Sequence, residues 1–417
     1  MSAQTTERWA VGLLAVYGAL LPWWNTGATM ALLLLAVGGV VRLRTVRMPV
    51  PRTFWPLGAA WAVAAGWAFF DGGWAPVLRW LPWLLLVPAL APWSAHVRNR
   101  GLLLGVAGGF LYLALATVFH TAGMDLPTGN PVDPLSAGRV ATSRAFGGVG
   151  HQHIYWALYA FLGGLAVASS SQLPRWAKAS ALLALLVLTG WGGSKMGIAA
   201  VVAGGWLWLG MHPAGRPWRW GLRLGLVALG VAAVVLFVQP TDGRFQQERL
   251  LHPKPEWATG SFETRSVQWQ AAVRLWSDAP LWGRGAASKQ DLLQAEYHRL
   301  GYWFGEKRRL NVHNTYLEFL LAYGWMGAAA VLAAVLAAFW VGLRQKSAVG
   351  GPSPAHRAST WALAAVLLLV ALTESLTERV LGVHLIGWYA YLVASGFETP
   401  PAGDSSRQAA QTASSVG

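Results

Sequence analysis

The chain contains no cysteine, so disulfides and thiolate metal sites are excluded. Charge is also scarce. Only 12% of the residues are Asp, Glu, Lys or Arg, against about 25% in a soluble globular domain. Several chemical signatures are missing as well. There is no Asp-x-Asp pair, no Walker A loop, no His-Glu-x-x-His and no Gly-x-Ser-x-Gly. Nothing therefore points to ATP hydrolysis or a divalent metal, and no cofactor is expected.

What fills the sequence instead is apolar. Of its 417 residues, 55% are hydrophobic. Many of the 26 tryptophans sit at the ends of apolar runs, as at Trp23, Trp24, Trp55, Trp74, Trp93, Trp191 and Trp340. That is the distribution of an interfacial aromatic belt. A bilayer-crossing helix needs about twenty predominantly apolar residues. Twelve candidate runs are predicted, at 9–24, 26–43, 54–71, 74–93, 101–121, 151–170, 177–191, 194–211, 219–238, 313–342, 358–376 and 380–397. The expected fold is an all-α integral membrane protein of about twelve transmembrane helices.

The net charge of +15 could suggest nucleic acid, but its distribution argues for topology. Basic residues recur in every other short connection. Arg42, Arg44, Arg47 and Arg52 share one. Arg98 and Arg100 lie in another, then Arg175 and Lys178, then Arg216, Arg219 and Arg223, then Arg344, Lys346 and Arg357. The intervening turns, 22–27, 71–73 and 192–193, hold almost none. The positive-inside rule then puts the basic loops and both termini in the cytoplasm.

Four regions follow from this: helices one to nine over 1–238, a large outer loop over 239–312, helices ten to twelve over 313–398, and a polar, disordered cytoplasmic tail over 399–417. A shorter outer loop spans 121–150. From Gln239 to Asn311 there are eleven Lys/Arg and eight Asp/Glu. Within this loop Trp269, Ala272, Val273 and Trp276 form one helical stripe, and Leu292, Leu293, Tyr297 and Leu300 another. Both suit helices lying on the outer membrane surface.

Titratable groups gather at the same face. Lys195 follows Gly192-Gly193-Ser194 at a span start, Arg265 lies in the large loop, and His313 opens the tenth run. Ionisable residues at membrane depth are functional candidates. A helix start and nearby cations favour a neutral His313 able to accept a proton. Glu318 lies five residues further on, about 140° around a helix, so it does not orient His313 directly. In the short outer loop, Arg139, Arg144 and the turn Gly147-Gly148-Val149-Gly150 could cradle an anion. His151 and His153 do not share a helix face, which disfavours a metal site. A cationic outer cleft with one base suits displacement of a leaving group that is already anionic.

Four segments carry a resemblance. They are Arg265-x-x-x-Trp269, Asp278-Ala279-Pro280-Leu281-Trp282-Gly283-Arg284-Gly285, His313-Asn314-x-Tyr316-Leu317 and Tyr323-Gly324-x-x-Gly327. Together they resemble the signature of the bacterial O-antigen ligase and polymerase superfamily, and the layout of spans around a large outer loop is similar. The resemblance implies a multispanning, GT-C-like glycosyltransferase scaffold in the bacterial inner membrane with a periplasmic active site. It implies transfer of O-antigen polysaccharide from undecaprenyl pyrophosphate to the lipid A-core oligosaccharide during lipopolysaccharide biosynthesis, inverting and metal-independent. His313 and Arg265 fall on the family's essential histidine and arginine. Lys195, Arg144 and Arg139 join Arg265 as pyrophosphate ligands. Lys195 stands where the family often has arginine, which keeps the charge and loses the forked contact. Within the superfamily the alternatives are an O-antigen polymerase and a protein O-oligosaccharyltransferase. An anion transporter is disfavoured because most spans have apolar centres.

Overall fold

A computed structural model describes residues 3–21, 25–46, 54–121, 153–169, 174–191, 195–211, 216–237, 255, 261–344, 354–378 and 382–388. Among these residues every regular element is a helix and no strand occurs. The expected short outer loop, with Arg139, Arg144 and His151, and the tail from 399 lie outside the described residues.

Among the described residues, ten helices precede the large loop. They are α1 (Ala3–Leu20), α2 (Asn25–Val46), α3 (Phe54–Asp71), α4 (Trp74–Arg79), α5 (Leu81–Leu90), α6 (Ala95–Thr121), α7 (His153–Ser169), α8 (Arg175–Trp191), α9 (Lys195–Met211) and α10 (Arg216–Phe237). The loop contributes α11 (Ser261–Ser277), α12 (Lys289–Arg299) and α13 (Trp303–Lys307). Then come α14 (Thr315–Arg344), α15 (Pro354–Ala371), a 3₁₀ turn (Leu376–Glu378) and a helical segment at 382–388.

Among the described residues, two stretches, Thr26–Thr45 and Thr315–Val341, are long and apolar enough to cross a membrane. Shorter apolar stretches are Trp74–Leu90, Met196–Met211, Arg223–Ala232 and Arg357–Ala371. Large apolar side chains cover much of the outside: Phe69 is 78% and Phe70 88% exposed, with Trp55, Leu78, Trp176 and Leu224 also bare. Apolar exposure on this scale suits lipid rather than water. The single run expected at 74–93 is broken at Trp80. Pro82 has no N–H to donate back to Leu78, so α4 ends and α5 restarts around it.

One buried cluster joins α1 to α7, α14, α15 and the chain beyond 376. Its centre is aromatic: Trp80 stacks on Trp83 at 4.9 Å and meets Phe319 and Tyr323 edge-on. The indoles of Trp80 and Trp83 donate to the carbonyls of Thr377 (3.3 Å) and Val383 (2.8 Å). Further along, buried His384 lies 2.7 Å from the Tyr17 hydroxyl and 3.2 Å from Thr29 Oγ1. Thr377, Val383 and His384 are thus held by Trp80, by Trp83 of α5, by Tyr17 of α1 and by Thr29 of α2.

The loop helices have a separate small core of Val267, Ala271, Ala272, Leu293, Tyr297, Tyr302 and Val312, onto which Leu321 of α14 packs. Both amphipathic helices therefore form as expected, but α11 is turned. Its inward face is Thr264, Val267, Gln268, Ala271 and Ala272, while Val273 is exposed and Trp269 and Trp276 are half-buried. These positions keep the i, i+3, i+4, i+7 spacing. This inward face packs against α14, with Trp269 at its edge.

Candidate active site

The start of α14 places the histidine. Asn314 is the N-cap: its Oδ1 accepts from the backbone N–H of Tyr316 (3.0 Å) and Leu317 (3.1 Å). The helix therefore begins at Thr315, and His313 stands before it rather than opening it. The angular argument from His313 to Glu318 consequently does not apply. His313 has φ of 51°, a left-handed conformation uncommon outside glycine. Such strain at a single residue costs on the order of 1–3 kcal/mol and persists only where the surroundings impose it. Here the Asn314 cap fixes one side, and Asn311 Oδ1 accepts from the His313 N–H at 3.3 Å.

Arg265 lies in the first turns of α11, close to residues that follow α15. Its Nε donates to the Thr373 carbonyl at 3.2 Å, and its Nη2 donates to Glu374 Oε1 at 3.0 Å. The other oxygen of the same carboxylate, Oε2, lies 3.3 Å from His313 Nδ1. One glutamate thus gathers the two candidate residues, which come from opposite ends of the loop. Its side chain is only 6% exposed, whereas His313 is 16% and Arg265 23% exposed. The carboxylate is the buried support, and the imidazole and guanidinium are the groups that face outward.

Sequence reasoning missed Glu374, which lies 61 residues from His313. The available signal was an acidic residue inside the apolar run expected at 358–376. The helix α15 ends at Ala371, and the Glu374 N–H turns back to the Val370 carbonyl at 3.0 Å.

A second carboxylate locks this corner. Glu318 is paired with Lys289 of α12, both buried, and accepts from Ser375 Oγ at 3.1 Å. Thr315 Oγ1 donates to the Glu374 carbonyl at 2.5 Å and accepts from the Leu376 N–H at 2.9 Å. Residues 373–376 are thereby fastened to the start of α14 by side chains on both strands of the corner. Among the described residues no three His, Asp or Glu side chains converge. Glu374 and Glu318 are each taken up by a protein cation.

The remaining motifs form a clasp. At Gly324, φ is 63° and ψ −169°, which breaks the hydrogen-bond ladder of α14. The freed groups pair with the loop at 280–285. The N–H groups of Arg284 and Gly285 donate to the carbonyls of Leu321 (2.7 Å) and Ala322 (3.0 Å). Those of Trp325 and Met326 donate to Pro280 (2.8 Å) and Leu281 (3.3 Å). A Cβ on Gly324 would come within 2.3 Å of the Leu281 backbone, and one on Gly283 within 2.5 Å of Gly324 N. Only glycines allow this approach. Asp71, at the end of α3, holds the clasp from outside by accepting from the N–H groups of Ala286 and Ala287 (3.4 Å) and Gly73 (2.7 Å).

Beside the site a narrow apolar groove runs between α14 and α15. Thr315, Tyr316 and Thr377 line it at the end next to Glu374, and Leu336, Phe339 and Leu367 line it deeper along the two helices. Lys195 is placed at the first position of α9. Arg139 and Arg144 lie outside the described residues, so the expected pyrophosphate set is placed only for Arg265 and the backbone of Lys195.

Residues 179–332 match the family model described as O-antigen ligase. No curated protein matches the chain. The matched segment contains Lys195, Arg265, His313 and the whole Gly283–Gly324 clasp, while Asp71 and Glu374 lie beyond it. Over these positions, which carry the candidate site and most of the loop beside it, the chain is similar to the O-antigen ligase family.

Proposed function

We propose that this protein is an O-antigen ligase. It transfers O-antigen polysaccharide from undecaprenyl pyrophosphate to the lipid A-core oligosaccharide at the periplasmic face of the inner membrane. The observation that carries this reading is the shared carboxylate: Glu374 binds Arg265 through one oxygen and faces His313 Nδ1 with the other.

That arrangement has a chemical consequence. With Nδ1–H donating to Glu374, the lone pair of His313 lies on Nε2 and the ring orientation is fixed. Nε2 takes the proton of the acceptor hydroxyl as that oxygen attacks the anomeric carbon. The bond from the anomeric carbon to the pyrophosphate oxygen breaks on the opposite face, so the configuration inverts. The leaving group departs with its electron pair as pyrophosphate anchored to the polyprenyl chain. Arg265, Lys195, Arg144 and Arg139 neutralise it. No metal or ATP enters, because the donor is already activated. The buried position of Glu374 lets it stabilise the transient imidazolium without reaching substrate.

The apolar groove beside Thr315 and Tyr316 suits the polyprenyl tail of the donor, which would enter from lipid with its pyrophosphate at the Arg265 end. Both termini would lie in the cytoplasm, with twelve spans and the 239–312 loop outside. The test is to supply one lipid-linked donor with each acceptor in turn. Glycan appearing on the lipid A-core supports the ligase. Growth of the glycan while it stays on its lipid carrier would instead make the protein a polymerase, and transfer to a polypeptide an oligosaccharyltransferase.

A further inference from the structure

We propose that the outer surface of the large loop holds a saccharide subsite, centred on Trp303, that grips a sugar ring of one of the two glycan substrates. The inference rests on the glycan-transfer reading above and adds a binding residue to it.

A shallow, open depression lies there, lined by Gln294, Trp303, Glu306, Lys307 and Arg309. Trp303 is 57% exposed although its neighbours Tyr297 and Tyr302 are buried in the loop core. The indole is braced rather than loose. His298 meets it edge-on at 5.2 Å, and Glu306 holds the His298 ring through Nδ1 at 3.1 Å. At the floor of the depression Gln294 is 9% exposed, and its Nε2 donates to the Leu310 carbonyl at 3.1 Å. That contact fixes the amide orientation and leaves Oε1 as an acceptor without a partner among the described residues. Arg309 is held by Asp291 at 2.7 Å.

This set of groups selects its ligand. A pyranose has one flat, C–H-lined face and an edge of hydroxyls that both donate and accept. The flat indole suits the first. Glu306 accepts, and Lys307 and Arg309 donate, which suits the second. A phosphate subsite would not include Glu306, and an acyl-chain subsite would not include four polar side chains. The position suits glycan transfer as well. His313 lies four positions beyond Arg309, so the two Cα atoms are at most roughly 14 Å apart. A sugar in the depression is then within a few rings of the bond being made.

Either the donor glycan or the acceptor oligosaccharide supplies such a ring, and the experiment separates them. Purified Trp303→Ala and Trp303→Phe proteins are assayed for transfer while each substrate is varied. Titration calorimetry then follows two probes: the delipidated acceptor oligosaccharide and the delipidated donor glycan. The expected result is an apparent KM for one substrate about tenfold higher in Trp303→Ala, with kcat within about twofold and recovery in Trp303→Phe. The probe that loses affinity in parallel identifies the source. Unchanged KM values and unchanged affinities for both probes would overturn the subsite. Wild-type protein that binds a probe but transfers to no acceptor would overturn the ligase reading and leave the subsite standing. Because Trp303 lies on the surface, an elution profile and melting temperature close to wild type are expected for both variants.

Discussion

Glu374 turns two separate candidates into one constellation. An isolated histidine before a helix and an isolated arginine on an amphipathic segment each have a bland explanation. A single buried carboxylate touching both does not arise from solvation or snorkelling. Glu374→Gln keeps the shape but removes the charge that, in the proposed mechanism, would hold the imidazole during proton transfer. The expected outcome is a fall in kcat of at least about tenfold with donor KM little changed, measured in a purified transfer assay. A kcat within about twofold of wild type would show that Glu374 does not serve His313. His313 and Arg265 could be named as candidates from the sequence because their surroundings form motifs. Glu374 was not, because its role comes from a fold that brings the end of α15 against the start of α14. Glu318 was rightly set aside as a partner for His313, yet for the wrong reason: it is held by Lys289 and Ser375.

At the scale of elements, the glycine motifs are paired backbone surfaces rather than flexible hinges. Pro280 to Gly285 supplies the donors and acceptors that the break at Gly324 leaves open in α14. Gly324→Ala must place a Cβ against Leu281 and also hold φ of 63°. The expected loss is about 2 kcal/mol or more, read as a lower melting temperature and faster exchange of the amides at 284, 285, 325 and 326. Unaltered exchange at those amides would contradict the clasp. The core of the loop makes a second expectation at this scale. Burial pushes the Tyr302 phenol up to about 12 from the ordinary value of 10, tempered by Thr264 and Gln268. The unfolded chain then ionises first as pH rises above about 10, so this contribution is whole below pH 10 and fades toward pH 12. Wild-type melting temperature should drop more between pH 9 and 12 than that of Tyr302→Phe, and equal slopes would remove Tyr302 from the account. The existence of both loop helices was legible from their period. Which face of α11 turned inward was not, since it is set by packing against α14.

For the molecule as a whole, charge alternation remains the main argument for topology, and the absence of cysteine makes it directly testable. Single variants Ser277→Cys in the large loop and Ser347→Cys in a basic connection leave one thiol each. A membrane-impermeant maleimide applied from the periplasmic side should label Ser277→Cys in intact cells and Ser347→Cys only after permeabilisation. The reverse pattern would invert the whole arrangement and move the site to the cytoplasm. The helical architecture and the placement of Arg265 and His313 around one loop could be read from composition and motif. The stitching of that loop to Asp71 on one side and Glu374 on the other could not, because each contact joins segments far apart in the chain. The central claim is that His313 and Arg265 act together on a pyrophosphate-activated donor without metal. The most direct measurement is transfer to the lipid A-core acceptor in the presence of EDTA. Wild-type protein should remain fully active, while His313→Ala and Arg265→Ala should each lose about 100-fold or more in kcat. Wild-type rates in both variants, or loss of wild-type activity on chelation, would contradict it.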